Sequence, residues 1–159
     1  FASHYLELVK ARAYNFSGAF TEVEQRSAWY TLHTVLKAVL KLLAPIMPFV
    51  TDFIYRNMYG DSVHRQRLPE PEAETEDYAA LREAFRIVMK LNSAIWTAKK
   101  ERNLKLSDPL NALIYVPESL KGFVADIKHL HRVIDVVIGE PEKKEEAVQI
   151  APGVYIKFV

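Results

Sequence analysis

Residues 42–49 have the sequence LLAPIMPF, which sets two prolines three positions apart at the end of a long apolar stripe. Proline disfavours helical geometry in the residue before it, so Pro45 predicts the end of one helix. Pro48 can occupy the first turn of a following helix, where a backbone N–H is not needed. Gly60 can stop that second helix, which we expect over residues 49–59. The stretch therefore predicts two successive helices joined by a tight turn.

The helix before this turn has a clear start signal. Thr21 and Glu24 form a capping box, in which each side chain binds a free backbone N–H at the helix start. The apolar stripe that follows has helical spacing and consists of Ala28, Trp29, Leu32, Leu36, Val39, Leu40 and Leu43. We expect Trp29 to be buried. A shorter helix precedes the capping box, with one apolar face formed by Phe1, Tyr5, Leu8 and Val9.

The chain beyond Gly60 changes character twice. Residues 62–64 are expected to be extended, and residues 68–77, which include two prolines, have the composition of a linker. A long helix is then predicted from about residue 77 to residue 101. Its apolar face consists of Tyr78, Leu81, Phe85, Val88, Leu91, Ile95 and Trp96.

After Asp108 the apolar spacing changes from the helical to the strand pattern. The predicted elements are a strand over 111–116, a helix over 119–131, a strand over 133–138 and a hairpin over 147–159. The predicted fold is mainly α with an α+β tail. Its predicted parts are a helical bundle over 1–68, a linker and long basic helix over 69–107, and a small βαβ(ββ) subdomain over 108–159.

Composition excludes several functional classes. The 159-residue chain has no cysteine, which excludes disulfides, cysteine-ligated zinc and thiol catalysis. No metal site is expected either, because His129 and His131 lie two positions apart and face different sides of a helix. A net charge of +1 argues against binding nucleic acid by bulk charge alone. No window approaches 18 apolar residues, so we expect a cytoplasmic protein without a membrane partner.

Charge is nevertheless concentrated locally. Residues 84–107 hold six Lys and Arg against one acidic residue, whereas residues 70–83 hold six Asp and Glu against one basic residue. The acidic residues Glu70, Glu72, Glu74, Glu76 and Asp77 lie in the predicted linker, where their charges are easily solvated. Carboxylates that act in general acid catalysis need a dry pocket, and nothing in this stretch predicts one.

Several stretches resemble the anticodon-binding domain shared by the class I valyl-, isoleucyl- and leucyl-tRNA synthetases. Residues 1–12, FASHYLELVKAR, are similar to its F…YLE..K.R helix, and residues 42–49 are similar to its LLAP.MPF signature. Residues 62–69 resemble its S-[IV]-H…WP segment, with Leu68 where tryptophan is usual. Residues 95–110 look most like the segment IR..K.E.gl.L..PL of archaeal-type valyl enzymes, with Thr97 where arginine is frequent.

The resemblance implies a helical-bundle domain whose partner is tRNA, in the first place tRNA for valine. The isoleucyl and leucyl counterparts are the alternatives within the family. Neither an H-x-G-H motif nor a K-M-S-K-S-like loop occurs, and the five glycines form no phosphate-binding pattern. We therefore expect no catalytic residue and no cofactor in this chain. ATP-dependent ligation of valine to tRNA would belong to the catalytic domain of a parent protein.

Anticodon recognition needs unstacked bases on aromatic rings and basic side chains on phosphates. Tyr14, at a helix end beside a polar loop, and Trp96, which also continues an apolar seam, are the candidate rings. The candidate cations are Lys10, Arg12, Arg65, Arg67, Lys99, Lys100, Arg102 and Lys105. The simpler alternative is that these basic residues form only a solvated helix face.

Two further expectations concern proteins as partners. The helices could form a protein-interaction module that does not bind RNA. In addition, an apolar surface that includes Phe1, Tyr5 and part of the stripe around Trp29 would be unusual on a monomer if it were exposed. We therefore expect the chain to self-associate at moderate concentration.

Overall fold

The structure is a computed structural model that describes residues 2–71, 73 and 75–159. Phe1, Glu72 and Glu74 lie outside these described residues. The predictions that Phe1 belongs to an apolar helix face, and Glu72 and Glu74 to an acidic linker, concern residues that are not described. The chain forms two compact units. They are the terminal unit, Phe1–Phe16 with Glu74–Val159, and the central unit, Ser17–Ala73.

The central unit contains the two helices that the paired prolines predict. They are α2, Glu22–Leu43, and α3, Pro48–Tyr59. The capping box at the start of α2 is confirmed, because the Thr21 N–H donates to Glu24 Oε2 at 2.9 Å and the Glu24 N–H donates to the Thr21 hydroxyl at 3.3 Å. Gly60 ends α3 with a φ of +77°, a left-handed conformation that glycine adopts without strain.

Asp52 on α3 fixes the segment that follows this helix. Its Oδ1 accepts hydrogen bonds from the Ser62 hydroxyl at 2.6 Å and from the Val63 N–H at 3.0 Å. The hydrogen bond from the Arg56 side chain, followed by that from Ser62, lowers the pKa of Asp52 to about 2. Ser62 in turn accepts from the His64 N–H. Of the three residues expected to be extended, Ser62 is extended, whereas Val63 and His64 lie in a 3-10 turn, Val63–Arg65.

The expectation that Trp29 is buried was wrong, since its exposed fraction is 47%. The reason is the difference in helix length. α2 has 22 residues and α3 has 12, which correspond to about 33 Å and about 18 Å. The shorter helix covers the C-terminal part of α2, where Leu40 and Ala44 pack with Tyr55.

The terminal unit contains three helices and all four strands of the described residues. A π-helical turn, Ala2–Leu6, leads into α1, Glu7–Tyr14. The long helix α4 is Glu76–Glu101, and α5 is Val124–His131 after a 3-10 segment, Glu118–Phe123. The strands are β1, Leu110–Val116; β2, Val133–Ile138; β3, Val148–Ala151; and β4, Val154–Phe158. A 3-10 turn, Lys144–Glu146, lies between β2 and β3.

The four strands form one mixed sheet in the order β2-β1-β4-β3. β1 and β2 are parallel and are joined through α5, while β4 is antiparallel to both β1 and β3. Gly153, with a φ of +71°, lies in the turn of the β3–β4 hairpin. The fold class predicted from the sequence, mainly α with an α+β tail, is confirmed.

One apolar core joins α4 to the sheet. Val88, Leu91 and Ile95 of α4 are fully buried and cluster with Ile114 of β1 and Ile127 of α5. Leu8 of α1 belongs to the same cluster. The compact units therefore do not follow the predicted division at residues 68 and 107, because α1 packs with the C-terminal part of the chain.

No helix in the described part of the chain is long and apolar enough to cross a membrane. The longest of them, α4, has 26 residues but carries charged side chains along its length. It is amphipathic, with one face in the core of the terminal unit and the other face exposed.

Candidate nucleic-acid interface

An exposed pair of aromatic rings lies at the C-terminal end of α1. The rings of Tyr14 and Phe16 are parallel within 3°, with centroids 5.4 Å apart, and their exposed fractions are 63% and 92%. Asn15 between them has a φ of +47°, and its N–H donates to the carbonyl of Ala11. This left-handed residue turns the chain so that the two rings come together.

Lys10 lies one turn before Tyr14 on the same face of α1, because side chains four residues apart are neighbours on a helix. Its ammonium group is 2.5 Å from Glu7 Oε1, and both side chains are exposed. An exposed pair of this kind is weak, so Glu7 can release Lys10 to an incoming phosphate at small cost.

Arg12 is not available as a surface cation. Its Nε is 3.0 Å from Asp126 Oδ1 and its Nη2 is 2.6 Å from Asp126 Oδ2, a bidentate ion pair between α1 and α5. The Asp126 side chain is buried. Arg12 therefore holds two helices of the terminal unit together, and its guanidinium is engaged within the protein rather than presented at the surface.

Lys99 is also removed from the surface, with an exposed fraction of 0%. Its Nζ donates to three backbone carbonyls, those of Leu106 at 2.9 Å, Asp108 at 2.7 Å and His131 at 3.0 Å. An ammonium group has three N–H donors, so each donor has one acceptor. Burial lowers the pKa of Lys99. Only the protonated amine has three N–H groups, so the three carbonyl acceptors favour the charged form. The prediction that Lys99 contacts RNA was wrong.

The other basic residues at the end of α4 are exposed. They are Lys100, Arg102 and Lys105. The guanidinium of Arg102 lies 3.8 Å from the centroid of the Phe158 ring and donates to the Ala98 carbonyl. In the central unit, Arg65 and Arg67 are exposed, and Arg65 forms a long ion pair of 3.4 Å with Asp61.

Trp96 lies half-buried between two histidines of the terminal unit. One is His4, which stacks on it with a centroid distance of 5.2 Å, and the other is His131, at 6.0 Å in an edge arrangement. His131 is fully buried, and its Nε2 is 2.8 Å from Asn92 Oδ1. Burial, followed by the nearby charge of Lys99, lowers the pKa of His131 to about 3. His131 is thus neutral at physiological pH and supplies no charge to a ligand.

Comparison with known proteins identifies the family. A family profile described as "Anticodon-binding domain of tRNA ligase" matches residues 1–114. The chain belongs to this anticodon-binding family. The interpretation drawn from the paired prolines and the first helix is therefore confirmed.

Curated relatives share this region. A valine–tRNA ligase from Aeropyrum pernix is 44% identical over 162 residues, which cover 100% of this chain and 19% of the relative. Another from Pyrobaculum aerophilum is 50% identical over 137 residues, or 86% of this chain and 17% of the relative. An isoleucine–tRNA ligase from Porphyromonas gingivalis is 35% identical over 112 residues, or 69% of this chain and 10% of the relative.

The chain thus spans less than one fifth of the length of these relatives. Within the residues of this chain that the structure describes, no group of three or more histidine, aspartate or glutamate side chains could hold a metal ion. The surface features suited to RNA are aromatic and cationic, namely the Tyr14–Phe16 pair and the exposed basic residues.

Phe16 is the functional candidate that sequence reasoning missed. The available signal was the pair of aromatic residues on either side of Asn15 at a helix end. Asparagine tolerates the left-handed conformation, and such a residue can bring its two neighbours onto one side of the chain.

We expect the substitution Lys99→Met to lower the free energy of unfolding of the terminal unit by about 3 kcal/mol. Methionine keeps most of the side-chain volume but leaves three carbonyls without a donor. Urea unfolding can be followed by tryptophan fluorescence in a Trp29→Phe background, because the chain has two tryptophans and Trp96 then reports alone.

The matched control is Lys100→Met, at the exposed neighbouring position, where we expect a change within about 0.5 kcal/mol. Equal effects of the two substitutions would contradict the structural role assigned to Lys99.

Proposed function

We propose that this chain binds the anticodon stem-loop of a tRNA, and that tRNA for valine is its partner. The observation that carries the proposal is the exposed Tyr14–Phe16 pair on a chain of the anticodon-binding family. Two large aromatic rings exposed to this extent are costly in water unless a partner covers them. A nucleobase is a partner with a matching flat face.

The rings and the nearby cation suit an unpaired loop of RNA. A base that leaves its stack can pack on the open face of Phe16, and stacking of this kind contributes about 1–3 kcal/mol per base. Lys10, on the face of α1 that carries Tyr14, is placed to contact the phosphate of the same strand. The rings would hold the bases, and Lys10 would hold the backbone.

The exposed cations Lys100, Arg102 and Lys105 are proposed to contact phosphates of the RNA stem. Such contacts set the position of an RNA on a protein but carry little sequence information. Arg65 and Arg67 of the central unit are proposed for the same role. Trp96 stays a candidate ring, whereas Lys99 and Arg12 act within the protein.

The choice of valine rests on which tRNA ligases are similar to this chain and over how much of it. Valine–tRNA ligases match most or all of this chain, whereas the isoleucine–tRNA ligase matches 69% of it at 35% identity. An isoleucine or leucine tRNA remains the alternative partner. We propose that ATP-dependent aminoacylation belongs to the part of a longer protein that this chain does not cover, that the chain itself needs no cofactor, and that the protein acts in the cytoplasm.

A second proposal is that the chain self-associates. The predicted surface must be corrected, because the half-buried Tyr5 packs edge-on against Phe85 at 6.3 Å. Trp29 of the predicted surface is exposed, and the exposed apolar side chains also include Phe49 and Phe53, one turn apart on α3, with exposed fractions of 89% and 70%. This exposed apolar face of α3 favours a contact between two copies of the chain. If the chain acts as a protein-interaction module, its partner would be a second copy of itself.

We expect Tyr14→Ala and Phe16→Ala each to weaken binding of a valine anticodon stem-loop about tenfold. The loss should not change the salt dependence of binding, since neither substitution removes a charge. Fluorescence anisotropy with labelled RNA at several salt concentrations measures both quantities.

Tyr78→Ala is the matched control, because Tyr78 is also an exposed tyrosine of the terminal unit but lies beside the acidic residues Glu76 and Asp77. An equal loss with Tyr78→Ala, or no loss with Tyr14→Ala and Phe16→Ala, would argue against the aromatic pair as the base-binding surface.

Sedimentation equilibrium tests the self-association. We expect the unmodified chain to show reversible dimers at moderate concentration and the double variant Phe49→Gln, Phe53→Gln to be more weakly associated. Val23→Gln, at another exposed apolar position of the central unit, should leave the association unchanged. If the unmodified chain remains a monomer at every concentration measured, the proposal is excluded.

A further inference from the structure

A cleft of about 570 Å³ opens on the terminal unit, and two of the residues that line it, Lys10 and Trp96, are candidates from the sequence. One wall comes from α1, another from Trp96 of α4, and the remaining walls from the loop after α4 and from the end of α5. Its lining includes three charged side chains, Glu7, Lys10 and Arg132, and beside them Trp96, Leu106, Ser107 and Leu130. Sites for small organic ligands have volumes of about 300–1,000 Å³, so the cleft can hold one nucleotide.

The walls of this cleft are held in place by buried polar contacts. Lys99 binds the carbonyl of Leu106 on one side and that of His131, next to Arg132, on the other. The Arg12–Asp126 ion pair fixes α1 against α5. A cleft held in this way is preformed, so a ligand loses little free energy in ordering it.

Arg132 gives the rim of the cleft a positive charge that the fold does not use. Its side chain is exposed, and its guanidinium forms no hydrogen bond or ion pair with the residues that the structure describes. Its backbone has a φ of +51°, an uncommon conformation for a non-glycine residue. The backbone is held there, because the Arg132 carbonyl accepts a hydrogen bond from the Leu110 N–H at 3.2 Å.

The lining favours an anion attached to a flat ring. Its acidic member is Glu7, whose charge is paired with Lys10 at 2.5 Å. Arg132 therefore leaves the lining with excess positive charge. Trp96, Leu106 and Leu130 supply apolar surface of the kind that packs against a nucleobase, and the Ser107 hydroxyl can hydrogen-bond to a base edge or ribose.

We propose that this cleft binds one unpaired nucleotide of the tRNA, with the base against Trp96 and the phosphate on Arg132. The inference rests on the proposed function and adds a second RNA-binding place to it. The Tyr14–Phe16 rings do not line this place, but Lys10, one turn before Tyr14, does. Arg132 acts by charge and by the fork of its guanidinium, which matches two phosphate oxygens. Trp96 acts as an apolar wall, because His4 already occupies one of its faces.

The first test compares Arg132→Gln with Arg86→Gln in binding to a valine tRNA transcript. Arg86 is exposed on α4 outside the cleft and pairs with Glu83, so the control removes the same charge elsewhere in the same unit. We expect Arg132→Gln to weaken binding about tenfold and to reduce the slope of log K against log salt by about 0.7, the value for one phosphate contact of a single strand. Arg86→Gln should change neither quantity.

The second test uses Trp96 as a reporter in the Trp29→Phe background. A base placed against Trp96 should quench its fluorescence when the tRNA is bound. The quenching should be smaller in Arg132→Gln at RNA concentrations that saturate both proteins, because the phosphate no longer anchors the nucleotide. Thermal unfolding of each variant checks that the fold is kept.

The outcomes separate this inference from the proposed function. If the unmodified chain binds tRNA but Arg132→Gln behaves as Arg86→Gln does and Trp96 shows no quenching, the cleft assignment is overturned and the proposed function stands. The same conclusion follows if Tyr14→Ala and Phe16→Ala weaken tRNA binding but bound tRNA does not quench the fluorescence of Trp96. If the unmodified chain binds no tRNA at any salt concentration, both proposals fail together.

Discussion

The ammonium group of Lys99 joins three segments of the terminal unit at one buried point. It extends from the end of α4 to the carbonyls of Leu106, Asp108 and His131, so the loop after α4 and the end of α5 are fixed relative to one helix. A buried charge is tolerated only when its hydrogen bonds are complete, and removing one partner of such a group is strongly destabilising. This contact ties the loop that carries Leu106 and the end of α5, next to Arg132, to the helix that carries Trp96.

The basic residues therefore fall into two groups, those that stabilise the fold and those that are exposed at the surface. Lys99 and Arg12 hold the terminal unit together from inside, while Lys100, Lys105 and Arg132 present charge to solvent. Lys99 and Lys100 are adjacent in sequence, and the same side-chain type serves the core at one position and the surface at the next. A chain with a net charge of +1 can thus carry a cationic RNA-binding surface, because part of its negative charge lies in an acidic stretch and part is paired.

The sequence predicts the local structure well, because its signals are local. The capping box at Thr21, the helix that begins at Pro48 and the βαβ(ββ) order all follow from residue types and spacing. Packing between distant segments has no such signal. The apolar periodicity of α1 does not predict which core its apolar face packs into. The charge of Lys99 does not predict that three backbone carbonyls accept its hydrogen bonds. Phe16 and Arg132 were missed because their roles depend on left-handed backbone at Asn15 and Arg132.

The proposed function requires the chain to bind one anticodon in preference to others. The most direct test measures the affinity of the unmodified chain, at low and moderate salt, for a valine tRNA transcript, the same transcript with its anticodon exchanged, and an isoleucine tRNA. We expect the tightest binding to the intact valine tRNA and a preference that persists as salt increases, because base contacts depend less on salt than phosphate contacts do. Equal and strongly salt-dependent affinity for all three RNAs would contradict it.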